Sequence, residues 1–281
     1  MSIAQLAIGA DRPRHESTPT QTPSASDYYD ARTGVAILDE EGETHGFHAN
    51  ERFAMCSTFK FLAVAAVLHR VDHGEDRLDR FINYSEHDIL AWAPVTKKYL
   101  PEGGMTLEAL CFAAIAYSDN TAGNLLLQTL GGPAGLTAYA RSVGDNVTRL
   151  DRTEPELNDV LPRDERDTTT PMAMLRDMQK ILLGDALSLQ SREKLESWMM
   201  QNTTGDEMIR AGVPSGWRVG DKTGRNDIGN TNDIAIIRRP DGKAMLLCIF
   251  TFAWIVPAKD RAEKIAQVTT EWFLEPAPVK Q

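Results

Sequence analysis

The stretch Met55-Cys56-Ser57-Thr58-Phe59-Lys60-Phe61-Leu62-Ala63-Val64-Ala65 decides the fold of this chain. From Ser57 to Val71 apolar residues recur with the period of an α-helix, and Gly74 marks its end. The helix predicted here carries a serine and a lysine one turn apart at its head.

Outward from this helix, the pattern changes from helices in the middle of the chain to strands at both ends. Alternating residues predict strands over 33–39, 46–53, 217–222, 232–239 and 243–255, with a hairpin turn at Asp241-Gly242. Apolar segments with a cap or a breaker at one boundary predict helices over 106–117, 120–130, 133–143, 171–183, 191–200 and 258–273. The predicted fold class is α+β with two domains: an antiparallel sheet built from both termini and flanked by helices, with an all-helical domain inserted between them.

The predicted domain boundaries follow from the same pattern. We expect a loosely ordered leader over 1–26, a sheet domain from 27–56 and 205–281, and a mainly helical domain over 57–204. Residues 2–10 lack the basic start and the length of an export signal. Residues 150–167 are charged, contain proline and show no periodicity, so they are predicted to form a functional loop.

Composition narrows the classes of function. The chain has 281 residues and a net charge of −10, which disfavours binding to a phosphate backbone. No apolar stretch reaches the roughly 20 residues that span a bilayer. We therefore expect a globular protein that acts on a small molecule, with no nucleic-acid or membrane partner.

Cysteine and histidine spacing gives no sign of a metal site. Cys56, Cys111 and Cys248 have no neighbouring set of Cys or His ligands, and their odd number leaves at least one thiol free. The six histidines also lack metal-ligand spacing. We expect no metal and no cofactor.

The pair Ser57 and Lys60 has the spacing of an activated nucleophile. A serine hydroxyl needs a base within hydrogen-bond reach, and an i to i+3 spacing on a helix brings the lysine amine beside it. The backbone N–H groups at the helix start can also stabilise an oxyanion. These residues indicate serine acyl transfer.

Two further triplets fit the same chemistry. Ser118-Asp119-Asn120 lies between two predicted helices and offers a hydroxyl to relay a proton and an amide to bind a carbonyl, although a helix cap explains it equally well. Lys222-Thr223-Gly224 ends a predicted strand, where an ammonium and a hydroxyl suit a carboxylate and the glycine lets substrate lie against the backbone. A hairpin turn is the alternative for this triplet.

Taken in this order, the three triplets resemble those of the class A serine β-lactamases, over roughly residues 33–274. The segment Arg152-Thr153-Glu154-Pro155-Glu156-Leu157-Asn158 looks like the Ω-loop of that family, and Arg152 with Asp167 like the ion pair that closes its neck. Trp92 resembles the aromatic residue at the rim of the cleft, with a packed tryptophan as the alternative. The resemblance implies a hydrolase that opens the β-lactam amide bond of penicillins and cephalosporins.

The resemblance also implies a role for each matched residue. Ser57 would be the nucleophile, with Lys60 or Glu154 as its base, and Ser118 the proton relay. Glu154 with Asn158 would activate the deacylating water. The backbone N–H groups of Ser57 and Arg225 would form the oxyanion hole. The residues that would contact substrate are Asn120, Asn158, Lys222, Thr223, Gly224, Arg225 and Trp92.

One departure concerns the arginine that members of this family add near the carboxylate site. The matching positions here hold Thr231 and Met208. Arg225, Arg210 and Arg261 are candidate substitutes, and all three being solvated surface charges is the alternative. The positions that would complete two disulfides hold Asn226 and Val64, so neither bridge is expected.

Other classes of protein remain as alternatives. A penicillin-binding D,D-peptidase or a β-lactam sensor domain would stop at the acyl-enzyme, and a serine-dependent glutaminase would share only Ser-x-x-Lys. None of these needs Glu154 with Asn158. The resemblance further implies a monomer, periplasmic or secreted, that binds β-lactam substrates and inhibitors and gives antibiotic resistance.

Overall fold

The computed structural model describes residues 31–274. The strands of its main sheet come from the two ends of this range, and most of its helices come from the middle. The strands are β1 (Arg32–Leu38), β2 (Thr44–Phe47), β3 (Phe53–Ala54), β4 (Phe81–Asn83), β5 (Gly104–Thr106), β6 (Thr168–Thr169), β7 (Arg218–Arg225), β8 (Asn230–Arg238) and β9 (Ala244–Phe252). The helices are α1 (Phe59–Asp72), α2 (Leu107–Ala116), α3 (Asn120–Thr129), α4 (Pro133–Ser142), α5 (Pro171–Met178), α6 (Leu189–Met200), α7 (Ile209–Gly212) and α8 (Ala258–Leu274). None of these helices is both long and apolar enough to cross a membrane.

The main sheet has the order β2-β1-β9-β8-β7, and all of its strand pairs are antiparallel. Nearly every residue of β8 and β9 is buried, because helices cover both faces of the sheet. β7 lies at one edge, so half of its backbone N–H and C=O groups face away from the sheet. The prediction of an α+β fold with an antiparallel sheet from both ends of the chain is confirmed.

Two hydrophobic cores lie on opposite faces of this sheet. The larger surrounds α1, in which every residue from Phe59 to Leu68 is buried, and includes α2, α3, α5 and α6. The smaller joins the other face to α7 and α8. A helix that is apolar all round must lie inside the fold, so α1 fixes Lys60 in its first turn inside the core, with Ser57 just before its start.

The helix starts follow the caps that the sequence offers. The side chains of Thr106, Thr170 and Ser188 each accept a hydrogen bond from a backbone N–H in the first turn of their helices. Pro133 and Pro171 stand at first helical positions.

Two sequence predictions were wrong in detail. The second strand ends at Phe47 rather than continuing to Phe53, because His48 has a φ of 46° and turns the chain out of the sheet. The helix predicted to end at Leu183 is α-helical only to Met178 and continues as a π-helical turn. The antiparallel pair of β4 and β5 was not predicted.

The predicted loop over 150–167 is closed at its neck. Arg152 Nε lies 2.6 Å from Asp167 Oδ2, and Asp167 Oδ1 accepts the backbone N–H groups of Asp151 and Arg152 at 2.7 and 2.9 Å. Asp167 is completely buried, and these donors satisfy its carboxylate oxygens inside the protein. The predicted ion pair is confirmed.

The leader predicted over 1–26 lies outside the described residues, and the division into domains stays a prediction. All three cysteines are buried free thiols, so neither Cys56 nor Cys111 forms a disulfide, as predicted.

Candidate active site

Ser57 lies in a short 3-10 turn, Cys56–Thr58, that leads directly into α1. The α-helix therefore begins two residues later than predicted. Cys56 has a φ of 47°, and the backbone N–H and the hydroxyl of Thr58 both donate to the Met55 carbonyl, at 3.2 and 2.8 Å. This tight turn brings Ser57 to the surface of the core while its two neighbours stay buried.

Lys60 is completely buried in the first turn of α1, and its amine lies within reach of oxygens from Ser57, Ser118, Asn120 and Glu154. Nζ lies 2.9 Å from Ser57 Oγ, 2.9 Å from the Ser118 carbonyl and 2.6 Å from Asn120 Oδ1. Burial lowers the pKa of Lys60 from its ordinary value, and the negative charge of Glu154 opposes that effect. An amine whose pKa is lowered in this way can accept the proton of the hydroxyl beside it.

Glu154 reaches the same hydroxyl from the loop over 150–167. Its side chain is buried, Oε1 accepts a hydrogen bond from Ser57 Oγ at 3.3 Å, and the same atom lies 3.1 Å from Lys60 Nζ. Oε2 accepts from Asn158 Nδ2 at 2.6 Å. One carboxylate therefore contacts the nucleophile, the amine and the loop amide together.

Asn124 holds the backbone of Glu154 in place, and it was not among the predicted site residues. Its Oδ1 accepts the backbone N–H of Glu154 at 2.9 Å, and its Nδ2 donates to the Glu154 carbonyl at 2.8 Å. Asn124 stands four residues after Asn120 on α3, hence on the same helix face. That i, i+4 pair of asparagines was the available signal.

In the triplet Ser118-Asp119-Asn120, the helix cap and the contacts with Lys60 belong to different residues. Asp119, not Ser118, caps α3 by accepting the Ala122 N–H at 2.9 Å. The same buried carboxylate accepts the backbone N–H groups of Val95 and Thr96, which holds a neighbouring loop. The cap alternative is thus correct for the aspartate alone, and the serine and asparagine side chains both face Lys60.

Lys222 approaches Ser118 from the edge strand. It is completely buried, and its Nζ donates to Ser118 Oγ at 3.0 Å and to the Thr223 carbonyl at 2.7 Å. Burial, which has the larger effect, and the positive charge of Lys60 together lower the pKa of Lys222 to about 7. Two lysines therefore lie on either side of one serine hydroxyl, an arrangement suited to moving a proton and holding an anion.

Gly224 lies where β7 passes closest to the turn that carries Ser57. A Cβ at this position would lie 2.7 Å from the Met55 carbonyl oxygen and 3.1 Å from Ser57 N. The glycine therefore lets β7 pack against the turn that carries Ser57. The hairpin alternative for this triplet is wrong, because β7 continues to Arg225.

Trp92 lies beside the start of α3. It is 54% exposed, which excludes a tryptophan in the core, and its indole donates to the Tyr117 carbonyl at 3.1 Å. The Trp92 carbonyl accepts the N–H of Asn120 at 2.9 Å, which ties its segment to the triplet.

The three candidate arginines differ in their surroundings. Arg225 is exposed, and its Nη2 donates to the Thr204 carbonyl at 3.0 Å. Arg210 Nε donates to the buried carboxylate of Asp221. Arg261 is buried and binds Thr231 Oγ1 and two backbone carbonyls. The alternative that all three are solvated surface charges is therefore wrong for Arg210 and Arg261.

Comparison with known proteins identifies relatives over most of the chain. The sequence model of the β-lactamase enzyme family matches residues 21–272. The β-lactamase OXY-2 of Klebsiella oxytoca is 46% identical over 236 residues, which cover 84% of this chain and 81% of that protein. A β-lactamase of Amycolatopsis lactamdurans is 49% identical over 224 residues, 79% of this chain and 73% of that protein. The solved structure of an ancestral (GNCA) class A β-lactamase has a TM-score of 0.85 and 52% identity, and covers 87% of this chain and 94% of that one.

Proposed function

Because this chain belongs to the class A β-lactamases and hydrolyses the β-lactam amide bond of penicillins and cephalosporins through a serine acyl-enzyme, we propose that Ser57 is its nucleophile and that Glu154 drives deacylation. The observation that carries this proposal is the contact of Ser57 Oγ with both Lys60 Nζ, at 2.9 Å, and Glu154 Oε1, at 3.3 Å. With a base on each side of the hydroxyl, one base can activate the hydroxyl for acylation and the other can activate a water for deacylation.

Acylation begins when Ser57 Oγ attacks the lactam carbonyl carbon and gives its proton to Lys60. Burial lowers the pKa of Lys60, and a neutral amine at this position can accept the hydroxyl proton across 2.9 Å while it donates to the Ser118 carbonyl and Asn120 Oδ1. The lactam C–N bond then breaks, and the nitrogen takes a proton from Ser118, which Lys60 replaces across 3.5 Å. The proton of the nucleophile thus ends on the leaving nitrogen.

The oxyanion that forms between these steps needs donors. The backbone N–H groups of Ser57 and Arg225 supply them, because Gly224 keeps β7 close to the nucleophile turn. The position of β7 at the sheet edge supports this assignment, since its outward N–H groups have no neighbouring strand.

Deacylation uses the carboxylate. Glu154 takes a proton from a water whose oxygen attacks the ester carbonyl. The C–O bond to Ser57 then breaks as Glu154 passes that proton to Ser57 Oγ, 3.3 Å away, and becomes a carboxylate again. Asn158, 2.6 Å from Glu154 Oε2, holds that water together with the carboxylate. This pair is what an enzyme that stops at the acyl-enzyme, such as a D,D-peptidase or a sensor domain, does not require.

Substrate binding is assigned to the groups around this centre. Lys222 and Thr223 hold the substrate carboxylate, Asn120 holds the amide of the acyl side chain, and Trp92 forms the rim over it. The ammonium of Lys222 and the hydroxyl of Thr223 suit an anion because both can donate a hydrogen bond to a carboxylate near the end of β7.

Turnover of benzylpenicillin and of a chromogenic cephalosporin tests the nucleophile. We expect many turnovers by the wild type, none above background by Ser57→Ala, and wild-type rates in Ser215→Ala, which removes an exposed hydroxyl elsewhere. Turnover by Ser57→Ala would contradict the proposal. A single stoichiometric burst from the wild type would instead favour the D,D-peptidase or sensor alternative.

The cellular role is also proposed. Acting as a monomer in the periplasm or outside the cell, the enzyme would destroy β-lactams before they reach the cell wall and so give antibiotic resistance. Expression of the chain behind an export signal in a susceptible bacterium should raise the inhibitory concentration of benzylpenicillin, and Ser57→Ala should not. Light scattering of the purified protein should give the mass of one chain.

A further inference from the structure

A cavity of about 490 Å³ opens beside the reaction centre, where β7 turns into β8. Two arginines, Arg225 and Arg261, line it together with the segment over 254–258 that leads into α8. Trp254 and Ile255 are 44% and 72% exposed there. The cavity thus combines two cations with an apolar wall.

The two guanidinium groups lie on one face of the sheet. Arg225 pairs across the strands with Thr231, and residues paired in this way share a face. Thr231 Oγ1 accepts a hydrogen bond from Arg261 Nε at 2.9 Å. Arg261 is therefore fixed beside Arg225 by its own helix and by the neighbouring strand.

Neither arginine forms an ion pair with a carboxylate among residues 31–274. Arg261 is only 7% exposed, and burial, followed by the charge of Arg225, holds the pKa of its guanidinium below the usual value. Asp227 also lines the cavity but lies beyond ion-pair distance of both, so the cavity keeps a net positive charge. Two neighbouring cations in this setting repel each other, and an anion between them would relieve that cost.

The alternation of side chains along the end of β7 shows on which side of the reaction centre the cavity lies. Asn226 points toward the loop over 150–167, where its Nδ2 donates to the Asn158 carbonyl at 2.8 Å. Arg225 points the other way and donates to the Thr204 carbonyl, and the Thr204 hydroxyl lies 2.6 Å from that of Thr223. The cavity therefore adjoins the residues that hold the substrate carboxylate rather than those that face its acyl side chain.

We propose that Arg225, Arg261 and the wall formed by Trp254 and Ile255 are a second anion subsite, which binds a negatively charged substituent at position 3 of a cephalosporin. This inference rests on the proposed function. Position 3 is next to the ring carbon that bears the carboxylate, so a substituent there extends past Thr223 toward Arg225. A flat heterocycle would lie against Trp254, with its anion between the two guanidinium groups.

Two cephalosporins form a matched test. Cefonicid and cefamandole share the acyl side chain and the tetrazolylthiomethyl group at position 3, and differ in a sulfomethyl or a methyl group on the tetrazole. The quantity to compare is kcat/KM, because it reports the steps up to acylation. We expect the wild type to favour cefonicid about fivefold, the effect of one partly exposed charge-assisted contact.

Variants of Arg225 show whether the side chain causes this preference. Arg225→Gln should bring the ratio of the two kcat/KM values to about one, and Arg225→Glu should reverse it. Arg218→Gln is the matched control, since Arg218 is an exposed arginine at the far end of the same strand. It should leave the ratio as in the wild type. The wild-type preference should also shrink at high salt.

Each contrary result has a distinct meaning. Equal kcat/KM values in the wild type, or an equal loss for both compounds in Arg225→Gln, would overturn the subsite, the second because the guanidinium would then act on the shared ring carboxylate. Failure of the wild type to hydrolyse either compound would instead contradict the proposed function.

Discussion

The reaction centre and the cavity beside it both contain two cations, but they treat those charges in opposite ways. Lys60 and Lys222 are completely buried, and each amine bonds to oxygens from other elements, with Glu154 as a carboxylate partner for Lys60. Arg225 and Arg261 meet at an open cavity with no carboxylate bonded to either within residues 31–274. Burial makes an unpaired charge costly, so the inner site must be complete without substrate. In the outer cavity Arg225 is exposed and Arg261 is buried without a carboxylate partner in the described part of the chain, so pairing of their charge is left to a ligand.

This difference predicts where substitutions act. A change in the inner network removes a group that several others depend on, so it should affect every substrate. A change in the outer cavity should alter the choice among substrates and leave the chemical steps intact.

Among the substitutions that test this difference, Lys60→Met is expected to lower activity most. Loss of the amine removes the base beside Ser57 and leaves the Ser118 carbonyl and Asn120 Oδ1 without their donor. We expect kcat/KM for a chromogenic cephalosporin and for benzylpenicillin to fall about 1,000-fold, the middle of the range for general bases. Stopped-flow measurement of acylation would show the same loss.

Lys194→Met is the matched control for that change. Lys194 is a partly exposed lysine on α6 that pairs with Glu108, so its loss should change kcat/KM by less than about threefold. A loss of under tenfold in Lys60→Met would mean that another group, Glu154 first, accepts the proton of the nucleophile.

A second effect follows from the pKa of Lys222, about 7. Below that pH the amine is protonated and can hold the substrate carboxylate, and above it the charge is lost. We expect kcat/KM to fall on the alkaline side by up to about tenfold for each pH unit, because this parameter reports the free enzyme. Lys222→Arg keeps its charge, so its profile should be flat there, although lower overall. An alkaline limb at the same pH in both proteins would assign it to another group.

A smaller effect is expected where the two regions meet. Asn226 follows Arg225, and its Nδ2 holds the Asn158 carbonyl, while its Oδ1 accepts the N–H groups of Gly229 and Asn230. Asn226→Asp keeps the acceptor and loses the donor, so Asn158 should be held less firmly. We expect deacylation, and with it kcat, to slow about fivefold, the value of one hydrogen bond, with a larger steady-state fraction of acyl-enzyme.

The same substitution at an exposed asparagine, Asn146→Asp, controls for the added charge. It should leave both kcat and the acyl-enzyme fraction unchanged. An equal slowing of acylation and deacylation in Asn226→Asp would show that the contact does not act through Asn158.

The inner site was predictable because its chemistry restricts its residue types. Ser57 and Lys60 form a motif because one helical turn brings the hydroxyl beside the buried amine. Lys222 can be buried only because its amine donates to Ser118 Oγ and to the Thr223 carbonyl. The central helix was predictable for a related reason, since α1 is apolar on every side. Each residue of this kind leaves a local pattern in the sequence.

Features that depend on long-range contacts left no such pattern. Arg225 and Arg261 meet only because a strand pairing places Thr231 between them. Asn124 acts on a loop 30 residues away, and Gly224 is required by the nucleophile turn rather than by its own strand. Periodicity and motifs report neighbours along the chain, so contacts of this sort had to come from the structure.

The most direct test of the central claim is mass spectrometry of the wild type and of Glu154→Ala during reaction with benzylpenicillin. The account predicts that the wild type completes many turnovers with little adduct, and that the variant accumulates one acyl group on Ser57 that persists after excess substrate is removed. A stable stoichiometric adduct on the wild type, or undiminished turnover by Glu154→Ala, would contradict the assignment of deacylation to Glu154.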